Sequence, residues 1–373
     1  MPNPSPLDPR LWDFPIGITS LSLGRANVHR MEAKVQAAAD AGFKGIEIFY
    51  EDLESLAHEL CGDEDIKSSL RHAAHLIRRL CDSLGMTIIN LQPFRDYEGL
   101  ISRKRHEEKV SELKTWLILC KILRVDMILI TSGFPSSPPI ATGDQDRIID
   151  DLREVADLGA QEDPPIRFAY EAISWGAHVN TWQHAWKIVQ EADRPNLGLC
   201  LDTFHVLAKV WANPESTTGL RRAAADALGE DLQELVSVVS TKRLFSVQLA
   251  DAVRLDPPLS PQHVWHDPSQ HPLMTWSRQA RLFPLEKEMG AYLPVLEILQ
   301  SCIVDMGYRG WISMEVFNGS LFASDHRVPL LHARRGMSAW IKCRDALRRE
   351  MTAKPDSEKQ LSYVEVDTEL PRR

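Results

Sequence analysis

Several signatures of other protein classes are missing from this sequence. The six cysteines stand apart, and no two of them have the CxxC spacing of a zinc ribbon or a thioredoxin-like site. No apolar run reaches the roughly 18 residues that a membrane-spanning helix needs. No basic stretch followed by an apolar one occurs in the first residues, MPNPSPLDPRLWDFP, so we expect no signal peptide. We therefore expect a reduced, cytoplasmic protein with no membrane partner.

Nucleotide-binding and nucleic-acid-binding signatures are missing as well. Neither GxGxxG nor GxxxxGK[ST] follows any strand-length apolar run, which disfavours a doubly wound nucleotide-binding fold. The formal net charge is -9. Because nucleic acids are bound through basic surfaces, we expect no nucleic-acid partner. The hydrophobic content of 44% and charged content of 25% are typical of a globular protein with enough apolar material for a core.

Eight short apolar runs alternate with segments of helical periodicity. Each run has the length and composition of a buried strand, and the eight are Ile16–Leu23, Gly45–Tyr50, Thr87–Phe94, Val125–Thr131, Ile166–Ile173, Leu197–Phe204, Leu244–Ala250 and Trp311–Phe317. Helical periodicity is clearest in Ile66–Leu84, Val110–Leu123 and Leu293–Met306. Strands that alternate with helices pair in parallel, and eight such units close into a barrel. We therefore predict the α/β class and one (β/α)8 TIM barrel over residues 16–350, with tails at 1–15 and 351–373, the second of them mobile.

Two connections are longer than this pattern requires. Lys209–Arg243 follows the sixth strand, and Asp251–Tyr292, rich in Pro, His and Trp, follows the seventh. In a TIM barrel, the connections that follow strands lie over the face that carries the active site. We predict that both extended loops form a lid and a pocket wall.

Four consecutive strands each end with a side chain of a kind that binds metal ions, namely Glu171, Asp202, Gln248 and Glu315. A lone buried carboxylate is costly, and three at one barrel mouth would repel each other. A hard divalent cation (Mg2+, Mn2+ or Co2+) removes that repulsion. The alternative is that each acid pairs with an arginine or lysine across the barrel. The equivalent positions on four strands favour a single metal site.

Two histidines follow the same strands. His205 lies three residues after Asp202, and His178 lies seven residues after Glu171. Either imidazole could act as the general base at the barrel mouth. Either could instead support the site by hydrogen bonding alone. The sequence leaves the two roles open.

Three arginines are placed on connections at the same end of the barrel. Arg95 follows the third strand, and Arg278 and Arg281 lie in the seventh connection. An arginine on such a loop can bind a substrate carboxylate through paired hydrogen bonds, although a solvated surface position is the alternative for one of the last two. Glu47, at the end of the second strand, is interpreted as a partner in a barrel salt bridge.

These residues carry a resemblance to a known family. The chain resembles the xylose isomerase-like superfamily of sugar isomerases and epimerases and, more closely, the fungal and bacterial 3-dehydroshikimate dehydratases of quinate catabolism. Between about residue 16 and residue 320, the matching segments are ITSLSLGR, GFKGIEIFYEDL, LQPFRDYEGL, AYEAISWGAHVNTW, LDTFH, VQLADA, WSRQARLFPLE and GAYLPV. The most specific match is Gln248, because most of the superfamily has histidine there and these dehydratases have glutamine.

The resemblance implies an activity and a division of roles. It implies that 3-dehydroshikimate is converted to protocatechuate and water, by proton removal next to a metal-polarised ketone and loss of the β-hydroxyl. It also implies that the four strand-end residues hold the metal and that Arg95 and the WSRQAR loop contact the substrate. His205 is the preferred base, and no organic cofactor is implied.

Other functions remain open at this point. A sugar or ketose isomerase or epimerase shares the proton-removal step, and a catalytically inactive metal-holding binding module would keep the same fold. The arginines favour an acidic substrate, and the complete ligand set favours an enzyme. A DNA-repair barrel is disfavoured by the acidic charge and by the lack of additional histidine ligands. The identity of the metal and the oligomeric state, including a homo-oligomer, are not determined by the sequence.

Overall fold

The computed structural model of the chain describes residues 13–61 and 65–353, with side chains as far as residue 350. Most of the two predicted tails, residues 1–12 and 354–373, lies outside the described residues, and so does the predicted mobility of the second.

The strands form the predicted barrel. In chain order they are β1 (Ile16–Thr19), β2 (Gly45–Phe49), β3 (Thr87–Phe94), β4 (Met127–Thr131), β5 (Arg167–Glu171), β6 (Leu197–Asp202), β7 (Leu244–Leu249), β8 (Asp251–Ala252), β9 (Arg281–Leu282) and β10 (Ile312–Met314). All but β8 and β9 belong to one closed parallel barrel, in which β10 pairs with β1 through Ile16 and Ile312. The eight predicted strands and the fold class are therefore confirmed.

Helices surround the barrel. They are α1 (Met31–Ala41), α2 (Tyr50–Leu60), α3 (Ile66–Ser83), α4 (Arg103–Leu123), α5 (Gln145–Ala160), α6 (Trp182–Ala192), α7 (Thr203–Val210), α8 (Ala224–Val238), α9 (Pro272–Ala280), α10 (Val295–Gln300) and α11 (Val328–Ala353). The predicted helix Leu293–Met306 is α10 continued by a π-helical segment, Ser301–Asp305. Among the helices that the structure describes, none is long and apolar enough to cross a membrane.

The two long connections differ in character. The connection after β6 is mostly helical, because α8 lies within it and packs on α6, where the indole of Trp182 donates to Asp231 at 2.9 Å. The connection after β7 contains α9 and the antiparallel pair of β8 and β9. Residues from Val264 to Gln279 line the largest cavity at the mouth. The predicted pocket wall is thus formed mainly by the seventh connection.

The interior of the barrel changes from apolar to polar along the strands. Its lower layer consists of small and apolar side chains, Ile89, Met127, Leu129, Ala169 and Cys200. Side chains two residues apart on a strand share one face. Glu171 and Asp202 therefore follow Ala169 and Cys200 on the inward face and form the next layer, at the carboxyl ends of the strands.

Candidate active site

The four predicted metal ligands meet at the barrel mouth. Glu171 is 3% exposed, Asp202 2%, Gln248 0% and Glu315 4%. The side-chain nitrogen of Gln248 lies 3.3 Å from an oxygen of Glu315. Potential ligand atoms of Glu171, Asp202 and His205 lie within 4.8 Å of one another. The structure thus brings the predicted ligands together, and their binding of a metal stays a prediction.

Burial and mutual repulsion act on these acids. Burial, and then the charge of Asp202, raises the pKa of Glu171 well above its usual value. Burial and the charge of Glu171 do the same to the pKa of Glu315. Burial alone would also raise the pKa of Asp202, but the charge of Arg281 and the hydrogen bonds from its guanidinium and from the backbone of His205 hold it below its usual value. In this arrangement Asp202 is the carboxylate that stays ionised most easily.

Glu47 is a fourth buried carboxyl group of this layer, and its interpretation as a salt-bridge partner is wrong. One of its oxygens accepts hydrogen bonds from the amides of Asn90 at 2.9 Å, Gln92 at 2.5 Å and Gln248 at 2.9 Å. No arginine or lysine within the described ranges forms an ion pair with it. Asn90 and Gln92 are polar side chains two residues apart on β3, which is the sequence signal for an amide-lined interior.

The amide of Gln248 has a defined orientation. Its nitrogen donates to Glu47 and Glu315, while its oxygen accepts a weak hydrogen bond from the thiol of Cys200, with a sulfur–oxygen distance of 3.4 Å. A hard cation binds the amide oxygen and not the nitrogen. Metal binding by Gln248 therefore requires its amide group to turn over, which exchanges the two atoms without moving the backbone.

Arg281 occupies a position that differs from the predicted one. We expected it on a mouth loop in contact with the substrate, but it begins β9 and is 1% exposed. Its guanidinium donates to Asp202 at 2.6 Å and to Glu315 at 3.3 Å, and its Nε donates to Ser277 at 2.9 Å. The alternative to a metal site, in which each strand-end acid pairs with an arginine or lysine, is therefore observed for Asp202 and Glu315, which both pair with Arg281. The physical reason is that the short β8–β9 ladder directs this side chain into the barrel mouth.

His205 lies against the carboxylate layer. Arg281 approaches its Nε2 at 3.0 Å, and the hydroxyl of Ser174 lies 3.2 Å from its Nδ1. A guanidinium and the backbone N–H of Ser174, which lies 3.1 Å from Nδ1, can only donate, so each ring nitrogen faces a donor and a neutral ring accepts from one of the two. Burial lowers the pKa of His205 to about 3, so the ring is neutral. The Nε2 edge of the ring faces the acid layer, where a carboxylate oxygen of Glu171 is 3.6 Å from Nε2.

His178 lies elsewhere. It is exposed, and its Nε2 donates to the carbonyl of Ala141 at 3.2 Å. It lines a neighbouring cavity and does not line the small cleft that contains Glu171, His205 and Glu315. The structure therefore separates the two predicted histidines.

The mouth contains an inner cleft and an outer chamber. The inner cleft, of about 60 Å³, reaches Glu171, His205, Arg281 and Glu315. The outer chamber, of about 560 Å³, lies above it. Both cavities are lined by the same four side chains, Phe49, Arg95, Arg278 and Phe317.

The outer chamber is positively charged. Arg95 and Arg278 lie on its wall as predicted, and the sequence analysis missed Arg25, which lines it too. Glu51 pairs with Arg25 at 3.3 Å and with Arg95 at 3.7 Å. Partial burial, and then the charges of Arg95 and Arg25, lowers the pKa of Arg278. Three arginines against two carboxylates, Glu51 and Asp267, leave the lining with a net positive charge that suits an anionic ligand.

The acid layer itself fits a divalent cation. Four buried carboxyl groups (Glu47, Glu171, Asp202 and Glu315) face one buried guanidinium, and Arg281 is the sole arginine or lysine among the described residues that forms an ion pair with them. One oxygen of Glu171 is buried without a hydrogen-bond partner. Carboxylate and amide oxygens are the donors that Mg2+, Mn2+ and similar hard ions prefer.

The chain belongs to the xylose isomerase-like TIM barrel family, whose model matches residues 35–343. Within that family, the resemblance to 3-dehydroshikimate dehydratases is confirmed. A protein of that name from Neurospora crassa is 39% identical over 340 residues, which are 89% of this chain and 94% of the relative.

Two longer proteins match as well. A 3-dehydroshikimate dehydratase of Pseudomonas aeruginosa is 34% identical over 306 residues, which cover 82% of this chain and 39% of that protein. A solved xylose isomerase-like TIM barrel/4-hydroxyphenylpyruvate dioxygenase fusion protein is 27% identical with a TM-score of 0.68, covering 95% of this chain and 45% of the fusion. The chain thus spans less than half the length of both.

Proposed function

We propose that this chain is a metal-dependent 3-dehydroshikimate dehydratase that converts 3-dehydroshikimate to protocatechuate and water. One observation carries the proposal: a buried layer of four carboxyl groups with a single guanidinium, open to a cleft below a chamber lined by arginines. The relative from Neurospora crassa, which this chain matches over nearly its whole length, supports the choice of substrate.

In this proposal Glu171, Asp202, Gln248 and Glu315 hold one divalent ion, Mg2+, Mn2+ or Co2+. When bound, the ion supplies Lewis acidity that polarises the substrate's ketone and acidifies the adjacent C–H bond. The amide of Gln248 turns its oxygen inward, and the guanidinium of Arg281 gives up part of its contact with Asp202 and Glu315. Glu47 stays hydrogen-bonded behind the ligands. Burial raises the pKa of its carboxyl group and so favours the protonated form.

His205 removes the proton. Its Nε2 faces the acid layer and is contacted there by Arg281. When that guanidinium shifts, the neutral ring with its proton on Nδ1 presents the Nε2 lone pair to a substrate atom in the cleft. The imidazolium that forms is stabilised by Glu171, 3.6 Å away. The C–H electrons then form a ring double bond as the β-hydroxyl leaves with a proton as water. The resulting dienone tautomerises, with one proton lost from the remaining ring CH2 and one gained by the ketone oxygen, and the aromatic ring results.

The arginines orient the substrate. Arg95 and Arg278 bind the ring carboxylate from the chamber wall. Arg25, which pairs with Glu51, adds positive charge to the same wall. Arg281 also lines the inner cleft, so its predicted substrate contact is assigned to the reacting end of the molecule and not to the carboxylate. Fixing both ends keeps the acidic proton near His205, and such positioning accounts for much of a barrier reduction.

The direct test is incubation of the purified chain with 3-dehydroshikimate and each of the three ions. The proposal predicts a rising aromatic absorbance and a product lighter than the substrate by one water. An isomerase or epimerase would give a non-aromatic product of unchanged mass. A binding module would leave the substrate unaltered, and either result would refute the proposal.

A further inference from the structure

A second cavity lies beside the candidate active site. It has a volume of about 330 Å³, is open to solvent, and is lined by the connections after β4 and β5, by Lys209 of α7 and by His271 at the start of α9. We call it the Lys209 recess. Cavities that bind small molecules begin at about 300 Å³, so this one has room for a small ring compound.

The walls of the Lys209 recess are largely apolar. They include the rings of Phe134 and Trp175, which meet edge to face with centroids 6.1 Å apart, together with Pro135, Pro139 and Ile140. Flat rings and proline faces pack well against a flat, unsaturated ligand. The shape and chemistry of the wall therefore favour a ring over a flexible chain.

The polar end of the recess is cationic. Lys209 is half-buried, and none of the described residues gives its ammonium a hydrogen bond or a carboxylate partner. Burial, and then the charge of Arg221, lowers the pKa of Lys209. Arg221 is itself occupied by the carbonyl of Ala208, at 3.1 and 2.9 Å. A desolvated cation without a counter-charge is costly, and an anionic ligand offsets that cost.

His271 provides a second donor. Its Nδ1 accepts the backbone N–H of Leu273 at 3.1 Å, so in the neutral ring the proton lies on Nε2. Partial burial, and then the charge of Lys209, lowers the pKa of His271, which keeps the ring neutral. An ammonium and an imidazole N–H on one cavity wall suit the two oxygens of a carboxylate.

We propose that the Lys209 recess binds a small aromatic or unsaturated ring carboxylate, with the carboxylate on Lys209 and His271 and the ring against Trp175 and Phe134. This site is distinct from the carboxylate site proposed for the substrate, which uses the arginines of the outer chamber.

The recess also touches the proposed base. Ser174 and Trp175 line the recess, the hydroxyl of Ser174 lies 3.2 Å from Nδ1 of His205, and the ring of Trp175 lies 4.9 Å from the imidazole. We infer that a ligand packed on Trp175 shifts the ring against which His205 packs. This second claim rests on the proposed function and predicts a lower kcat at saturating substrate.

Benzoate is the probe, and calorimetry measures its binding to the metal-loaded protein. The variants are compared in an Arg95→Met background, called the parent, in which benzoate binding at the outer chamber is weakened. Adding Lys209→Met should weaken benzoate binding about tenfold or more, and Lys209→Arg should retain it. The matched control is Lys187→Met, an exposed α6 lysine beside Glu191, which should leave the affinity unchanged. The neutral analogue benzamide should bind poorly.

The outcomes separate the claims. Equal benzoate affinity with and without Lys209, or no binding to the parent at millimolar concentration, overturns the recess as a carboxylate site. If Lys209→Met does not fold, His271→Gln at the exposed helix start gives the same test. Unchanged kcat in benzoate-saturated wild type overturns only the link to His205. Because binding is measured without turnover, an inactive enzyme would count against the proposed function and not against the recess.

Discussion

The guanidinium of Arg281 donates to the carboxylate of Asp202 at 2.6 Å, within the layer of predicted metal ligands. The same guanidinium reaches Glu315 and His205. One basic residue thus contacts two proposed ligands and the proposed base. Because a divalent ion and this guanidinium bind the same oxygens, metal binding and the position of Arg281 are linked.

That linkage gives the first prediction, on Arg281→Met. Removing one partner of a buried ion pair typically costs about 3–5 kcal/mol, so the metal-free variant should be destabilised in urea unfolding by an amount of that order. Added Mn2+ should restore stability to the variant more than it raises that of the wild type, because the ion replaces the lost charge. An equal gain in both proteins would show that ion and guanidinium do not share the acid layer.

The second prediction concerns the two histidines. His205→Ala should keep the fold and the metal but lose kcat by roughly 10²–10⁴-fold, as expected for loss of a general base. His178→Ala should change kcat little, since His178 is exposed and hydrogen-bonded to Ala141 outside the inner cleft. Solvent exchange of the acidified proton, at matched metal occupancy, checks both variants. A slow His178 variant with a fast His205 variant would reverse the assignment, and two fast variants would exclude both residues as the base.

The contrast between these histidines shows where sequence reasoning was sufficient. Helix α7 begins at Thr203, directly after Asp202, so three residues keep His205 beside its strand. After Glu171 the chain runs through an irregular segment before α6 begins at Trp182, and seven residues carry His178 to the surface. Separation along the sequence predicts proximity only when the intervening backbone is regular.

The acids were easier to predict than their partners. An acid at the end of an apolar strand is conspicuous, and the period of two fixes its inward direction. Arg281 lies in a polar loop segment, and its burial depends on the pairing of β8 with β9, which are two residues each. Arg25 follows β1 and pairs with Glu51, which follows β2 and pairs in turn with Arg95 after β3, so these contacts depend on the pairing of three strands. Such tertiary contacts have no local periodicity to reveal them.

The third prediction tests the chamber arginines. Arg95→Met and Arg278→Met should each raise KM and lower kcat/KM by an amount equivalent to about 2–3 kcal/mol, the value of a charge-assisted contact. Stability should change little, since both side chains lie on the cavity wall. Arg105→Met, an exposed position on α4, is the matched control. Unchanged kcat/KM in both chamber variants would move the carboxylate site elsewhere.

The fourth prediction concerns pH and Glu171. Its pKa is raised in the folded protein, so its contribution to stability is present below the unfolded value of about 4.5 and is lost as pH rises toward the folded value. Glu171→Gln removes this loss. In metal-free protein, the variant should therefore gain stability relative to wild type as pH increases from 5 to 8, by up to about 1.4 kcal/mol per pH unit. A constant difference in urea unfolding across that range would contradict the raised pKa.

The central claim is that the acid layer holds one catalytic divalent ion. The most direct measurement is titration of the chelator-stripped protein with Mn2+, followed by the rate of aromatic product formation from 3-dehydroshikimate and by elemental analysis. The account predicts no activity without the ion and a rate that rises until one equivalent is bound, with no such rise in Glu171→Gln. Full activity in protein shown by elemental analysis to contain no metal would contradict it.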